Sequence, residues 1–186
     1  MLEIRRPVRV LLCPIIACGL AHGADWQLTT IADNGVKESR RPHAPGVYAA
    51  AVDTTFLSWS GTGSQPYVMS YDHQQQHFSE AVHIAPEQDI RSDKHNYPHM
   101  ILTQDGYLHV FVMRGRTLQF RSPAPYTIDG EWECLRPPIN GSYQLPVTCS
   151  NGDVFMFARE GTNGIAYVHS QDHGLTWTKH DGISFS

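Results

Sequence analysis

One plan recurs three times between Gly46 and Lys179, and this repetition constrains the fold more than any other feature of the chain. Each copy holds four short runs rich in β-branched and aromatic residues. The first copy has Gly46–Val52, Thr55–Trp59, Tyr67–Asp72 and Ala81–Ile84. The second has Pro98–Leu102, Tyr107–Val112, Leu118–Ser122 and Trp132–Leu135, and the third Leu145–Thr148, Val154–Phe157, Ile165–Ser170 and Thr176–Lys179. Turn signals such as Asp105-Gly106 and Asn151-Gly152 part the runs, and no stretch sustains a helical period. A Ser ends the third run at 70, 122 and 170, in steps of 52 and 48 residues. Four strands repeating at that interval predict an all-β chain of four-stranded antiparallel β-propeller blades.

The third copy carries the sharpest mark. Ser170 to Trp177 reads S-x-D-x-G-x-T-W, which resembles the Asp-box turn of sialidase-like propellers. Asp172 and Gly174 make a tight turn in that motif, while Thr176 and Trp177 pack the blade edge. Ser70-Tyr71-Asp72 with Phe78, and Ser122 with Asp129-Gly130 and Trp132, read as degenerate copies. Blades are expected at about 46–92, 97–138 and 143–186, within a partial propeller domain over 25–186. Propellers close with at least four blades, and an open blade leaves a bare sheet edge. Three blades of a larger, seven-bladed ring are therefore expected, with Ser186 falling inside the third blade's outer strand. A fragment of a longer propeller is preferred to a short chain that self-associates.

The first 24 residues read as an address. Arg5, Arg6 and Arg9 precede the apolar run Val10–Ala21, and Ala21-His22-Gly23-Ala24 supplies a small-residue exit. These are the parts of a secretory signal peptide over 1–24, and the run is too short to anchor in a bilayer. Ile15-Ile16-Ala17-Cys18 also fits a lipoprotein box with Cys18 lipidated, a short match and the minor alternative. A secreted or periplasmic body is expected. It keeps only Cys134 and Cys149, either bridged or as two buried thiols. Fourteen Lys and Arg against eighteen Asp and Glu give −4, and −6 without the signal. A mildly acidic body with no basic run excludes nucleic acid, whose phosphates need clustered Lys and Arg. No Cys/His spacing suggests zinc, and no cofactor is expected.

Propeller ligands bind where the innermost strands and the loops leading into them converge. His95-Asn96-Tyr97-Pro98 leads into the second blade, Tyr143 into the third, and Phe157-Ala158-Arg159 ends the third blade's second strand. His and Tyr can exchange protons, whereas Arg can only fix an anion. At these residues the sequence resembles the BNR-4 repeat group of secreted sialidase-like propellers, which includes ulvan lyases. Its H-N-x-P motif stands as His95–Pro98, and its D-G-x-L-H-V-F strand as Asp105–Phe111. Its S-P-x-P-x-x-I-D-G-x-W stretch stands as Ser122–Trp132, and its later Tyr and F-x-R elements as Tyr143 and Phe157–Arg159. The resemblance covers about residues 30–186.

In the lyase members a His and a Tyr act as acid and base on a uronic acid, and an Arg pairs with its carboxylate. The resemblance therefore implies a secreted lyase cleaving a uronate-containing, ulvan-like anionic polysaccharide by β-elimination. His95 and Tyr143 would be its proton-transfer pair and Arg159 its carboxylate clamp. Asn96, Arg114, Arg116 and Trp59 are candidate substrate-binding residues, the arginines through sulfate or carboxylate and Trp59 by stacking on a sugar ring, with burial in the blade the favoured alternative for Trp59. One departure stands out. Lyase members carry another His at the end of the second blade's second strand, where this chain has Met113-Arg114-Gly115-Arg116.

Two other readings follow. A non-catalytic carbohydrate-binding propeller fits the missing His. A sialidase-like glycoside hydrolase could use Arg40-Arg41-Pro42 and a Tyr143 nucleophile, but needs further arginines beyond Ser186. His99 and His109 read as structural strand residues, and His73, His77, His173 and His180 as solvated. Trp132 and Trp177 read as packing residues of the turn motif.

Overall fold

The computed structural model describes residues 30–35, 46–86, 97–113, 116–160 and 164–184. The expected signal peptide lies outside them. Three antiparallel sheets follow one another along the chain. Sheet 1 comprises β1 (Gly46–Ala49), β2 (Thr54–Ser60), β3 (Pro66–Asp72), β4 (His77–Phe78) and β5 (Val82–His83). Sheet 2 comprises β6 (His99–Leu102), β7 (Leu108–Met113), β8 (Thr117–Arg121) and β9 (Glu133–Leu135). Sheet 3 comprises β10 (Ser142–Thr148), β11 (Val154–Glu160), β12 (Gly164–Ser170) and β13 (Thr178–Ser184). Both β4 and β5 pair with β3, so the outer edge of sheet 1 is one strand interrupted between Phe78 and Val82. Among the described residues the only helical element is a 3-10 turn at Thr62–Ser64, and no helix is long and apolar enough to cross a membrane.

The alternation of side chains explains how the sheets stack. Along β7, Leu108, Val110 and Val112 point to one face and His109 and Phe111 to the other, and all five are buried. The first face, with Met100, Leu118 and Phe120, packs on Ala49, Phe56 and Val68 of sheet 1. On the other face, Phe111 and Ile101 pack on Val154, Met156, Ala158, Ala166 and Val168 of sheet 3. Burying each of Phe56, Phe111 and Phe120 contributes about 1.5–3 kcal/mol. Sheet 2 is thus covered on both sides, and the first strands β1, β6 and β10 lie next to one another.

Ser170 and Asp172 build the turn foreseen in the third repeat. Ser170 Oγ accepts from Gly174 N at 2.8 Å and donates to Asp172 Oδ1 at 2.7 Å. Asp172 also accepts from Thr176 N at 2.8 Å and from the Thr176 hydroxyl at 2.5 Å. Burial alone would raise this carboxyl, but the bonds from Thr176, Ser170 and Leu175 hold it down at about 2. The turn carries Trp177 onto sheet 2, edge-on to Phe111 at 6.2 Å, with Nε1 donating to Gln119 Oε1 at 2.9 Å. Gln119 Nε2 in turn donates to Gly174 O at 2.7 Å and lies 2.6 Å from His109 Nδ1. The turn is therefore the bolt between sheets 2 and 3. Trp132 is buried in the core between sheets 1 and 2, its Nε1 donating to Ile128 O at 3.0 Å.

Three details differ from the sequence reading. Ser70 is not the counterpart of Ser122 and Ser170. It pairs with Phe56, on the face turned toward sheet 2, whereas Ser170 pairs with Val154, on the face turned toward the preceding sheet. The hairpin after Ser70 closes through Asp72 Oδ1, which accepts from Gln74 N and Gln75 N at 2.8 Å each, so it is no Asp-box. His173 and His180 are half-buried rather than solvated, and His180 stacks on Tyr167 at 4.7 Å. Cys134 and Cys149 are both half-buried and unbonded.

Candidate functional site

The antiparallel registers bring several strand ends together. His99 pairs with Phe111, so the start of β6 lies toward the Met113–Thr117 end of sheet 2. In sheet 3, Ser142 pairs with Arg159 and Glu160 with Gly164. The loop from Pro137 to Gly141 joins the two: Thr117 N donates to Ile139 O at 3.4 Å, and Ile139 is buried. This is the end on which the proton-transfer and carboxylate-binding residues were expected.

Tyr143 sits on a one-residue bulge. Ser142 opposes Arg159 but Leu145 opposes Phe157, so β10 carries one residue more than β11 over that stretch. Tyr143 has φ +61°, a left-handed conformation that costs a non-glycine residue about 1–2 kcal/mol. Two neighbours enforce it. Gly141 presses on β11 so closely that a Cβ there would lie 2.5 Å from Ala158 Cβ and 2.8 Å from Arg159 O. Gln144 is buried, and its Nε2 donates to Gly141 O at 2.9 Å and to Thr117 Oγ1 at 3.3 Å. The bulge is thus clamped from sheet 3 below and sheet 2 beside it.

The Arg159 guanidinium lies over the Tyr143 ring, 4.7 Å from its centroid, and its side chain is exposed. The neighbouring Glu160 does not engage it, because both Glu160 oxygens take Lys179 Nζ at 2.8 Å. Among the described residues no carboxylate pairs with Arg159. A guanidinium resting on an aromatic face at the surface can pair with an anion. Exposed Arg116 immediately precedes Thr117 and so stands beside the clamp.

Of the remaining expected site residues, His95, Asn96 and Arg114 lie outside the described residues. Trp59 is not brought to Tyr143. It alternates with Phe56 and Ser58 on β2, on the face of sheet 1 turned away from sheet 2. Its ring stacks on Tyr67 at 5.7 Å, its Nε1 donates to Asn34 Oδ1 at 3.0 Å, and Tyr67 stacks on His83 at 4.9 Å. Burial lowers the His83 pKa. Among the described residues no group of His, Cys, Asp or Glu could hold a metal. Sequence reasoning passed over Gln144, Thr117 and Gly141, whose only signal was the Asn140-Gly141 turn.

The three consecutive antiparallel sheets define an all-β repeat protein. Residues 54–165 match the BNR repeat-containing family, and the chain belongs to it. It is similar to an ulvan lyase, "Ulvan Lyase-PL25", of Pseudoalteromonas sp. (strain PLSV), at 27% identity over 90% of this chain and 41% of that protein. It is similar also to an ulvan lyase of Nonlabens ulvanivorans, at 27% identity over 80% of this chain and 37% of that one. A solved PL25 ulvan lyase bound to -[GlcA(1-4)Rha3S]- superposes with a TM-score of 0.68 and 25% identity, over 83% of this chain and 40% of its own. The chain thus spans about two-fifths of the length of the relatives it matches.

Proposed function

We propose that the three sheets are successive blades of a β-propeller and that the chain acts in β-elimination on a uronate-containing, sulfated polysaccharide of the ulvan type. The observation that carries this reading is the exposed Arg159 guanidinium held against the ring of Tyr143 on a clamped bulge. The names of the relatives and the adjacency of β1, β6 and β10 support it.

The chemistry follows from the side chains. Arg159 pairs with the uronate carboxylate and disperses the enolate-like charge that builds as the α proton leaves C5. A base takes that proton, the C4–O bond breaks, and the departing oxygen is protonated, leaving a C4–C5 double bond. Tyr143 and His95 are the proton-transfer pair, and Arg116 and Arg114 meet sulfate on the neighbouring sugar. Residues 1–24 direct the body out of the cytoplasm, consistent with a polymer too large to enter the cell.

The test is the ultraviolet absorbance of unsaturated uronate when the protein is incubated with ulvan. Tyr143→Phe should lower the rate by about 10²–10⁴. Arg159→Lys, which keeps the charge but loses the bidentate fork, should lower kcat as well as raise KM. New reducing ends without absorbance would replace elimination by hydrolysis. Binding with unchanged polymer length would sustain the binding-module reading instead, which the Met113–Arg116 stretch favours.

A further inference from the structure

We propose that Gln144 is a positioning residue for the elimination: its side-chain amide holds the Tyr143 ring against Arg159 and so sets the rate of proton transfer without touching the substrate. The inference rests on the lyase reading above and deepens it.

The bulge in β10 divides two tasks between two residues. Ser142 opposes Arg159 and Leu145 opposes Phe157, so Tyr143 and Gln144 share the place opposite Ala158. Gln144 is buried and turns to sheet 2, whereas Tyr143 turns to the exposed Arg159. The Gly141 carbonyl can only accept, which fixes the end of the amide that meets it as Nε2. Nε2 carries two hydrogens, and the second goes to Thr117 Oγ1 across the sheet boundary. Gln144 is 2% exposed and Thr117 0%, so water does not compete for either bond. A carboxylate of the same length has no hydrogen to give, and neither has an aliphatic side chain.

These two bonds oppose the strain at Tyr143. Its φ of +61° is a conformation that non-glycine residues leave when nothing holds them there. Gly141 precedes Tyr143 by two residues and Gln144 follows it, so the first bond closes a small ring around Tyr143. The second ties that ring to sheet 2. Two buried hydrogen bonds are together of the size of the strain they oppose. With the ring open, Tyr143 relaxes toward extended backbone and its side chain swings off the Arg159 guanidinium, which now lies 4.7 Å from the centroid. Arg159 still pairs with the uronate carboxylate, but the phenol is out of line with the proton it exchanges. Binding survives and proton transfer slows, which is a loss in kcat rather than in KM.

Gln144→Leu removes both hydrogens at nearly constant volume, and Thr117→Val removes only the acceptor in sheet 2. Far-UV circular dichroism checks that each variant keeps its strands. The first readout needs no activity. The Tyr143 ring shifts the Arg159 Nε–H resonance upfield, and both variants should move that resonance the way Tyr143→Leu does. The second readout is the absorbance of unsaturated uronate. Gln144→Leu should lower kcat by about tenfold to hundredfold while KM stays within about twofold, and Thr117→Val should lower kcat less. Added to Tyr143→Phe, Gln144→Leu should slow the residual reaction by less than about twofold, whereas a merely structural residue would slow both backgrounds alike. An unmoved Arg159 resonance would overturn the clamp. A moved resonance with wild-type kcat would overturn its part in the reaction. If Gln144→Leu does not fold, Thr117→Val decides by the same two readouts. A wild-type protein that yields no unsaturated uronate would remove the lyase reading, and the resonance alone would then decide whether Gln144 holds the ring.

Discussion

Replacing Gln119 by Leu tests whether the bolt between sheets 2 and 3 is polar or merely apolar packing. Gln119 is fully buried and serves three partners with two atoms: Gly174 O and His109 Nδ1 through Nε2, and Trp177 Nε1 through Oε1. Leu fills nearly the same volume, so the cavity term is small and the loss is that of stranded polar groups. A buried group left without its partner costs about 1–3 kcal/mol. Gly174 and His109 are buried and bear that cost in full, while half-buried Trp177 can turn its N–H toward water. The expected loss is about 2–6 kcal/mol, a large part of the roughly 5–15 kcal/mol that holds a domain together. For a chain of this size that lowers Tm by roughly 5–20 °C. Urea unfolding at neutral pH measures it, and Trp177→Phe, which strands the buried Gln119 oxygen and trims the ring packed on Phe111, should lose about 1–3 kcal/mol. A loss below about 1 kcal/mol for Gln119→Leu would show that apolar contacts across Phe111, Met156 and Val168 hold the junction unaided and that the network is incidental.

Three further outcomes are expected. Burial, with Arg121 nearby, holds the His109 imidazole at about 4, so the unfolded chain takes up this proton first as pH falls from 6.5. Stability should therefore drop by roughly 3 kcal/mol between pH 6.5 and 4, and His109→Gln should flatten that slope in pH-dependent urea titrations. Asp172 is held at about 2, a depressed carboxylate whose contribution is present above pH 3.8 and lost as pH falls toward 2. Asp172→Ala should cost about 1–3 kcal/mol at pH 7 and remove this acid limb, read by the same titrations. Gly141→Ala drives a methyl into Ala158 and the Arg159 carbonyl, so the bulge must shift. It should cost about 1–3 kcal/mol and lower the proposed elimination reaction more than tenfold, seen by thermal unfolding beside the absorbance assay.

The strands were legible because their signal is local. Alternation in Leu108–Met113 and Val154–Glu160 records a sheet covered on one or both faces, and Asp105-Gly106 and Asn151-Gly152 mark turns whose glycines have φ of +84° and +91°. The Asp-box at Ser170 was legible for the same reason: every bond in it lies within a few residues. Ser70 misled because a matching Ser says nothing about which face it occupies. One residue of register separates it from Ser122 and Ser170, and that residue decides which neighbour it meets.

The candidate site was legible by chemistry and not by geometry. Tyr143 and Arg159 could be named from a motif, yet nothing in their spacing requires one to lie over the other's ring. That contact depends on the bulge, and the bulge depends on Gln144 reaching back to Gly141 and across to Thr117 in another sheet. A buried amide has no signature of its own in a sequence. Its role appears only when its partners, 3 and 27 residues away, are placed beside it. The same holds for Gln119, whose partners Gly174 and Trp177 lie 55 and 58 residues on. Both amides join sheet 2 to sheet 3, and both contacts meet β8, one at Thr117 and one at Gln119 itself. If catalysis requires Tyr143 to stay in its left-handed conformation, sheet 3 cannot shift against sheet 2 without moving Tyr143 relative to Arg116. The inter-sheet amides then become part of what the reaction needs, although neither touches a substrate.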